Sequence, residues 1–388
     1  MPRHPHTSPT TQSLSASVYS QLAARARQRP GEIYSLHVGD TYLDPPEVAR
    51  AESQRSAEHA RLHNYAPVQG EPALLDAIVA RLRRQTGVDV DRASVQVMCG
   101  ATSGLAIVCE TVLDPDDEVI ILSPYWPLIR GIVACRGARP VEVPFFDRLG
   151  STGFDPEAAV EAAVTDRTAA LYVNTPNNPT GRVLDGETIS ALLAVARRHD
   201  LWVLCDEAYE DLWLGSAPPE RVWTRPDVRD RVIATHTLSK SFGLAGARVG
   251  YTHGPPEVMR AVKAVQTYQT YCAPRPLQLG AARALAEGDG WLQDARAAYR
   301  EAGRRAAGTL GIRAPQGGTF LFFDAKPHMR AGEALFGFLE RCLDAGVLLT
   351  PGPACGRDYG TWVRLCFTAV PPEDLDRALA RLAPILGT

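Results

Sequence analysis

The sequence predicts an α/β protein: a three-layer α/β/α large domain around a mostly parallel sheet, with a smaller α+β domain after it. Three observations predict this. Short apolar runs rich in Val, Ile and Leu recur without polar alternation, as strands buried on both faces do. Segments with apolar residues at helical spacing lie between them, where crossover helices belong. After Gln278 the pattern changes to a long helical stretch, followed by separate strands and helices.

The chain has 388 residues, too many for one simple core, and about two to three units are expected. Residues 1–14 are polar with Pro, Ser and Thr, which reads as a disordered tail without the apolar core of a signal peptide. Residues 15–29 have helical spacing, with Val18, Leu22 and Ala23 on one side, and stop at Pro30-Gly31. Residues 33–38 read as a short strand running into Gly39-Asp40. The segment 15–46 is expected to pack with the small domain.

The large domain is expected over 47–280. Residues 72–84 form a helix, with Leu74, Leu75, Ile78, Val79 and Leu82 at helical spacing. Buried strands follow at Val95–Met98, 118–122, 169–174, 201–205, Val232–Thr237 and 248–252. The crossover segment 187–198 is helical. The small domain, 281–388, starts within a helical stretch over 277–308. That stretch leads through Gly317-Gly318-Thr319 to the strand Phe320–Asp324. In sheets of this kind functional residues gather at the carboxyl ends of the strands.

Composition narrows the class. Hydrophobic content is 45%, charged content 22% and net charge −3, ordinary for a globular protein. No basic domain marks a nucleic-acid partner. No stretch reaches the roughly 18 apolar residues of a membrane span. The eight cysteines, Cys99, Cys109, Cys135, Cys205, Cys272, Cys342, Cys355 and Cys366, stand singly without a C-x-x-C pair. A zinc ribbon or redox motif is therefore not expected. Reduced cysteines in a cytoplasmic protein are.

Five features carry chemistry. The first is Lys240, in Thr237-Leu238-Ser239-Lys240-Ser241-Phe242-Gly243-Leu244-Ala245-Gly246-Ala247-Arg248-Val249-Gly250-Tyr251. Lys and Arg together number 41, yet only Lys240, Lys263 and Lys326 are lysines. Arginine, with a pKa above about 12, cannot form a Schiff base, whereas a lysine here can form one with an aldehyde cofactor. The hydroxyls and Arg248 of the same run can hold that cofactor's phosphate.

The second is Asp206, which ends an apolar strand in Leu204-Cys205-Asp206-Glu207-Ala208-Tyr209. A buried carboxylate needs a cationic partner. A protonated pyridine nitrogen is one, and the pair keeps the ring an electron sink. Taken alone, an aspartate here serves equally well as a helix cap. Tyr209 stands three residues on, within reach of the ring's phenolate oxygen. The third is the rigid loop Asn174-Thr175-Pro176-Asn177-Asn178-Pro179-Thr180-Gly181 after a strand, where Asn178 can donate to that same oxygen. The fourth is Cys99-Gly100-Ala101-Thr102-Ser103-Gly104, a strand-to-helix junction whose N–H groups can bind phosphate. The fifth is Arg364, in the apolar run Trp362-Val363-Arg364-Leu365-Cys366-Phe367. A substrate carboxylate offers it a bidentate fit, and a structural ion pair is the alternative.

Together these motifs resemble the pyridoxal-phosphate aminotransferases of the aspartate aminotransferase superfamily, fold type I. The resemblance runs from about Leu36 to the C-terminus. It rests on S-K-S-F-G-L-A-G-A-R-V-G-Y, N-N-P-T-G, D-E-A-Y and V-R-L-C-F, in the family's order. It implies pyridoxal 5'-phosphate as cofactor. Lys240 is then the Schiff-base lysine and proton shuttle, Asp206 the partner of the pyridine nitrogen, and Tyr209 and Asn178 the phenolate ligands. Gly100, Ala101, Thr102, Thr237, Ser239 and Arg248 match phosphate-site positions. Trp126, in Ser123-Pro124-Tyr125-Trp126-Pro127, matches the aromatic stacked on the ring. Tyr65 matches a tyrosine that reaches a neighbouring subunit's phosphate. Gly39 and Arg364 match the substrate-carboxylate positions, beside Asn178 and Trp126. A homodimer with shared sites is implied, and so is transfer of an amino group from an L-α-amino acid to a 2-keto acid.

One stretch departs from the family pattern. In Gln269-Thr270-Tyr271-Cys272-Ala273-Pro274-Arg275, the residues Tyr271, Cys272 and Arg275 stand where relatives usually carry small hydroxyl and amide side chains. If the loop reaches the neighbouring site it alters the pocket. The same lysine and aspartate also serve β- or γ-elimination and carbon–sulfur cleavage on this fold, which is the enzymatic alternative. A regulatory sensor built on this fold is a third reading. It needs a DNA-binding domain, for which the thirty or so residues before the family-like region are too few.

Overall fold

The computed structural model describes residues 7–12, 14, 22–55 and 57–387. The predicted helix 15–29 is described from Leu22 on, with helix at Ala23–Gln28; its residues 15–21 and Val18 lie outside the described residues. So does half of the predicted tail, residues 1–6 and 13.

The first strand, β1, is Tyr34–Ser35. Seven strands then build the central sheet: β2 (Val95–Met98), β3 (Glu118–Ser123), β4 (Arg139–Pro144), β5 (Thr168–Asn174), β6 (Trp202–Asp206), β7 (Val232–Thr237) and β8 (Gly250–His253). Their order is β2-β8-β7-β6-β5-β3-β4. β8 runs antiparallel to both neighbours, and the other pairings are parallel.

Both faces of this sheet are buried, and the strands show it residue by residue. Val119, Ile121, Ala170, Tyr172, Leu204 and Ile233 join one apolar cluster, with Leu105 and Val108 of the helix Gly100–Val112 and Val262 of the helix Pro256–Gln269. Their sequence neighbours Ile120, Leu122, Leu171, Val173, Val203, Cys205, Val232 and Ala234 join the other, with Ile189 and Leu192 of the helix Gly186–Arg198. Side chains alternate across a strand, so a strand without polar alternation requires a helix layer on each side. This is the three-layer arrangement that the sequence predicts.

A second sheet joins β9 (Phe320–Asp324), β11 (Thr350–Pro351) and β12 (Trp362–Cys366) in the antiparallel order β11-β12-β9. β1 pairs in parallel with β10 (Val347–Leu348). Among the described residues no helix is long and apolar enough to cross a membrane.

Three elements differ from the sequence reading. β4 carries Pro140 and Pro144, which argue against a strand. It is tolerated because it lies at the sheet edge. The predicted strand 33–38 stops as a ladder after Ser35. Beyond it two backbone carbonyls serve side chains: His37 accepts from Thr350 Oγ1 at 2.7 Å and Asp40 accepts from Thr368 Oγ1 at 2.7 Å. The stretch 277–308 is two helices, Arg275–Glu287 and Asp289–Leu310, joined at Gly288. A Cβ there would meet the Phe242 ring at 2.7 Å and the Ala284 carbonyl at 2.5 Å, so a glycine is needed for the close approach.

Candidate active site

A cavity of about 180 Å³ opens where the parallel strands end. Asp206 is the last residue of β6. Lys240 lies in the helix Leu238–Ser241 directly after β7, and Gly100 opens the helix after β2. Asn178 follows β5 and Trp126 follows β3. Registry aligns three of these ends, with Asn174 opposite Asp206 and Asp206 opposite Thr235. β12 contributes Arg364, and the chain after β1 contributes Val38 and Gly39. Ala101, Thr102, Trp126, Asn178, Asp206, Tyr209, Thr237, Ser239, Lys240, Arg248, Gly39 and Arg364 all line the cavity. Gly100 and Tyr65 do not.

The Lys240 ammonium donates to the Gly39 carbonyl. Burial lowers its pKa, and the positive charges of Arg248 and Arg364 lower it further against the pull of Asp40. Charge on a half-buried amine beside two guanidiniums is disfavoured. Gly39 must be a glycine, because a Cβ would lie 2.4 Å from Phe320 Cζ.

Asp206 is 4% exposed. Burial raises its pKa, opposed by hydrogen bonds. Oδ2 accepts from the Tyr172 hydroxyl at 2.6 Å, and Oδ1 accepts from the Ala208 N–H at 3.0 Å. Among the described residues no lysine or arginine pairs with it; the His236 ring adds a small lowering of its pKa and is bonded to Glu210 at 2.9 Å.

At the substrate end, Arg364 is 1% exposed. Nη1 donates to Asn178 Oδ1 at 3.1 Å, and Nη2 donates to the His37 carbonyl at 2.9 Å. Its guanidinium lies 4.3 Å from the Phe320 ring centre, a cation–π contact. Asn178 Nδ2 donates to the Tyr209 hydroxyl at 3.1 Å. Burial drives the Tyr209 pKa up.

At the opposite end, Gly100 begins the helix Gly100–Val112 with φ +80°. A Cβ there would lie 2.6 Å from Arg248 Nη2, so the guanidinium sits against the helix N-terminus. Arg248 is held by the Ala245 carbonyl at 2.8 Å. The Thr237 hydroxyl accepts from the Ser239 N–H at 3.2 Å and caps the short helix. N–H groups, hydroxyls and a guanidinium on one wall are a phosphate cradle.

The donor set fits an aldehyde phosphate with a basic ring. The amine has a lowered pKa, the buried carboxylate has no lysine or arginine partner among the described residues, and the cradle is cationic. Sequence reasoning missed Tyr172, Val38, Leu128 and Phe320. Phe320 and Val38 sit in apolar runs without any motif. Tyr172 reads as one more core aromatic.

Tyr65 stands away from this cavity at 82% exposure, edge-on to Tyr271 with ring centres 5.1 Å apart. Within the departing loop, Arg275 is tied to its own chain: Nε donates to Glu71 Oε1 at 2.7 Å and Nη1 to the Arg61 carbonyl at 2.5 Å.

The family model for aminotransferase class I and II matches residues 32–382. The aspartate/prephenate aminotransferase of Thermus thermophilus is 33% identical, with 96% of each chain covered. The arginine–pyruvate transaminase of Pseudomonas aeruginosa is 33% identical, over 93% of this chain and 92% of that one. Among solved structures, the N-succinyldiaminopimelate aminotransferase of Mycobacterium tuberculosis superposes with a TM-score of 0.90 at 28% identity. That match covers 98% of this chain and 100% of the other.

Proposed function

The chain belongs to the class I and II aminotransferases and is a pyridoxal 5'-phosphate-dependent transaminase of amino and keto acids, and we propose that its donor is an L-α-amino acid with an uncharged side chain. The elimination alternative is not favoured, since these relatives are named as aminotransferases.

When bound, the cofactor supplies an aldehyde carbon and a cationic ring that accepts electrons from the substrate α-carbon. The roles of this chain's residues are part of the proposal. Lys240 would hold the aldehyde carbon and would take the substrate's α-proton. Its lowered pKa leaves more of the amine uncharged at neutral pH than an exposed lysine has. Asp206 holds the proton on the ring nitrogen. Tyr209 and Asn178 would hold the phenolate oxygen, and Trp126 would pack on the ring. Gly100, Ala101, Thr102, Thr237, Ser239 and Arg248 receive the phosphate. Arg364, Asn178 and Gly39 dock the α-carboxylate, the guanidinium binding it bidentately.

One observation carries the choice of donor. Among the described residues the cations lining the cavity are Lys240, Arg248 and Arg364. With Lys240 and Arg248 engaged by the cofactor, Arg364 is left for one carboxylate. Val38, Leu128, Trp126 and Phe320 supply the apolar wall. The Thermus relative is named for aspartate and prephenate and the Pseudomonas relative for arginine, so the family leaves the donor open.

A homodimer belongs to the proposal. Tyr65 is exposed and away from its own cavity, as a residue serving a neighbouring subunit's phosphate would be. A cytoplasmic location is proposed with it, because all eight cysteines are free. The division at about residues 46 and 280 is likewise proposed. The antiparallel sheet β11-β12-β9 lies wholly after the second boundary, and β1 joins a strand from beyond it.

Holoenzyme mixed with single amino acids, without an acceptor, tests the reading. One stoichiometric keto acid from a neutral or aromatic donor is the expected result. Fast conversion of aspartate or arginine, with neutral donors inert, would overturn the donor assignment. Continuing release of ammonia or thiol would overturn transamination itself.

A further inference from the structure

We propose that Tyr172 is a positioning residue of this reaction, whose hydroxyl keeps the Asp206 carboxylate ionised and aimed to hold the ring nitrogen's proton. The inference rests on the reading of Asp206 given above. Tyr172 carries no motif and lies outside the cavity lining.

Sheet register creates the contact. β5 and β6 run parallel, with Tyr172 opposite Leu204 and Asn174 opposite Asp206. Successive side chains alternate faces, so Tyr172 and Asp206 share a face, one step apart along the ladder. A long aromatic side chain spans that diagonal. The 2.6 Å separation between the hydroxyl and Oδ2 is that of an O–H donor on a charged oxygen.

Packing alone does not account for the hydroxyl. The ladder partners of Tyr172, Ile121 and Leu204, are both apolar, and Tyr172 itself is 1% exposed. A buried hydroxyl costs free energy unless it is hydrogen-bonded. Phenylalanine would fill the same space. The hydroxyl's partner is, among the described residues, the one carboxylate that lines the cavity.

The electrostatics run the same way. The titratable groups around Asp206 are Tyr172 from β5, Cys205 and Tyr209 from its own segment, and His236 from β7. Burial raises the Asp206 pKa, and the Tyr172 hydrogen bond is the leading effect that lowers it. Burial and the nearby Asp206 charge drive the Tyr172 pKa well up. The tyrosine therefore stays protonated and acts as donor, and Asp206 as acceptor.

Tyr172→Phe keeps the ring and removes the donor. In cofactor-free protein, the carboxylic C=O infrared band of Asp206, identified by its loss in Asp206→Asn, reports protonation directly. The midpoint is expected to rise by about one pH unit or more, a tenfold change in proton affinity. An unmoved midpoint overturns the proposal. In holoenzyme, kcat is expected to fall roughly tenfold or more, with KM for the amino acid within about twofold because Arg364 is untouched. Loss in KM alone would mark Tyr172 as packing only and overturn it. Should Tyr172→Phe fail to fold, 3-fluorotyrosine at position 172 makes the hydroxyl a stronger donor, and the midpoint must then fall; no fall overturns the proposal. If instead Asp206→Ala retains full activity, the reading of Asp206 fails while the infrared result still reports the Tyr172–Asp206 coupling.

Discussion

Arg364 donates from Nη1 to Oδ1 of Asn178 at 3.1 Å, and that contact orients the amide. Arginine has donors only, so the asparagine oxygen must face it. The NH₂ group is thereby turned to the Tyr209 hydroxyl, 3.1 Å away. The proposed carboxylate dock and the proposed phenolate site thus share one side chain.

Arg364→Lys should raise KM for every α-amino acid, by about ten- to a hundredfold, because a point charge replaces a bidentate fork. It should also loosen Asn178, so kcat should fall with it. Steady-state kinetics over several donors check both. An unchanged KM would place the carboxylate elsewhere.

Lys240→Ala should abolish turnover and covalent attachment together. Borohydride reduction followed by intact-mass measurement should add one cofactor mass to the native chain and none to the variant. Attachment in the variant would move the Schiff base to Lys263 or Lys326, the other lysines.

Asp206→Ala should still take up cofactor through Lys240 and the phosphate cradle. Its kcat should drop by roughly three orders of magnitude, about 4 kcal/mol in barrier, since nothing then holds the ring proton. Absorbance titration with cofactor and single-turnover rates separate the two effects. A near-normal rate would remove Asp206 from its role.

Glu207, beside Asp206, is 2% exposed. Burial pushes its pKa up from 4.5 to about 7, against the pull of Arg221, whose Nη1 lies 3.2 Å from Oε2. The folded protein therefore favours the protonated acid. The stability this contributes is complete below the unfolded pKa and is lost as pH rises through the folded one. Between about pH 4.5 and 7, wild type should lose on the order of 3 kcal/mol relative to Glu207→Gln, which stays neutral. Urea unfolding of both proteins at pH 5 and pH 7 checks the difference in slope. Parallel slopes would show Glu207 ionised throughout.

Much of the site can be read along the chain because its groups are short local strings at strand ends. Lys240 and Arg248 lie in one run, Asp206 and Tyr209 in another, and each sits where β7 or β6 stops. The loop after β5 and the glycine after β2 follow the same logic. Steric and hydrogen-bonding demands at a strand-to-helix turn are met by near neighbours in sequence, so they leave a local signature.

The sequence by itself determined the layers and the chemical inventory. Unbroken apolar runs at 119–122, 170–173 and 232–234 require cover on both faces, and one of only three lysines, beside a glycine-flanked loop, marks the amine. The tertiary structure decided which groups meet across the fold. Register set Tyr172 against Asp206, although periodicity gives a face and never a partner. After β1, Arg364 and Thr350 take the His37 carbonyl and Lys240 takes that of Gly39, from far along the sequence. Arg275, a loop residue by sequence, is held by Glu71 and Arg61. Such contacts depend on distance in space, and a string of residues records only distance along the chain.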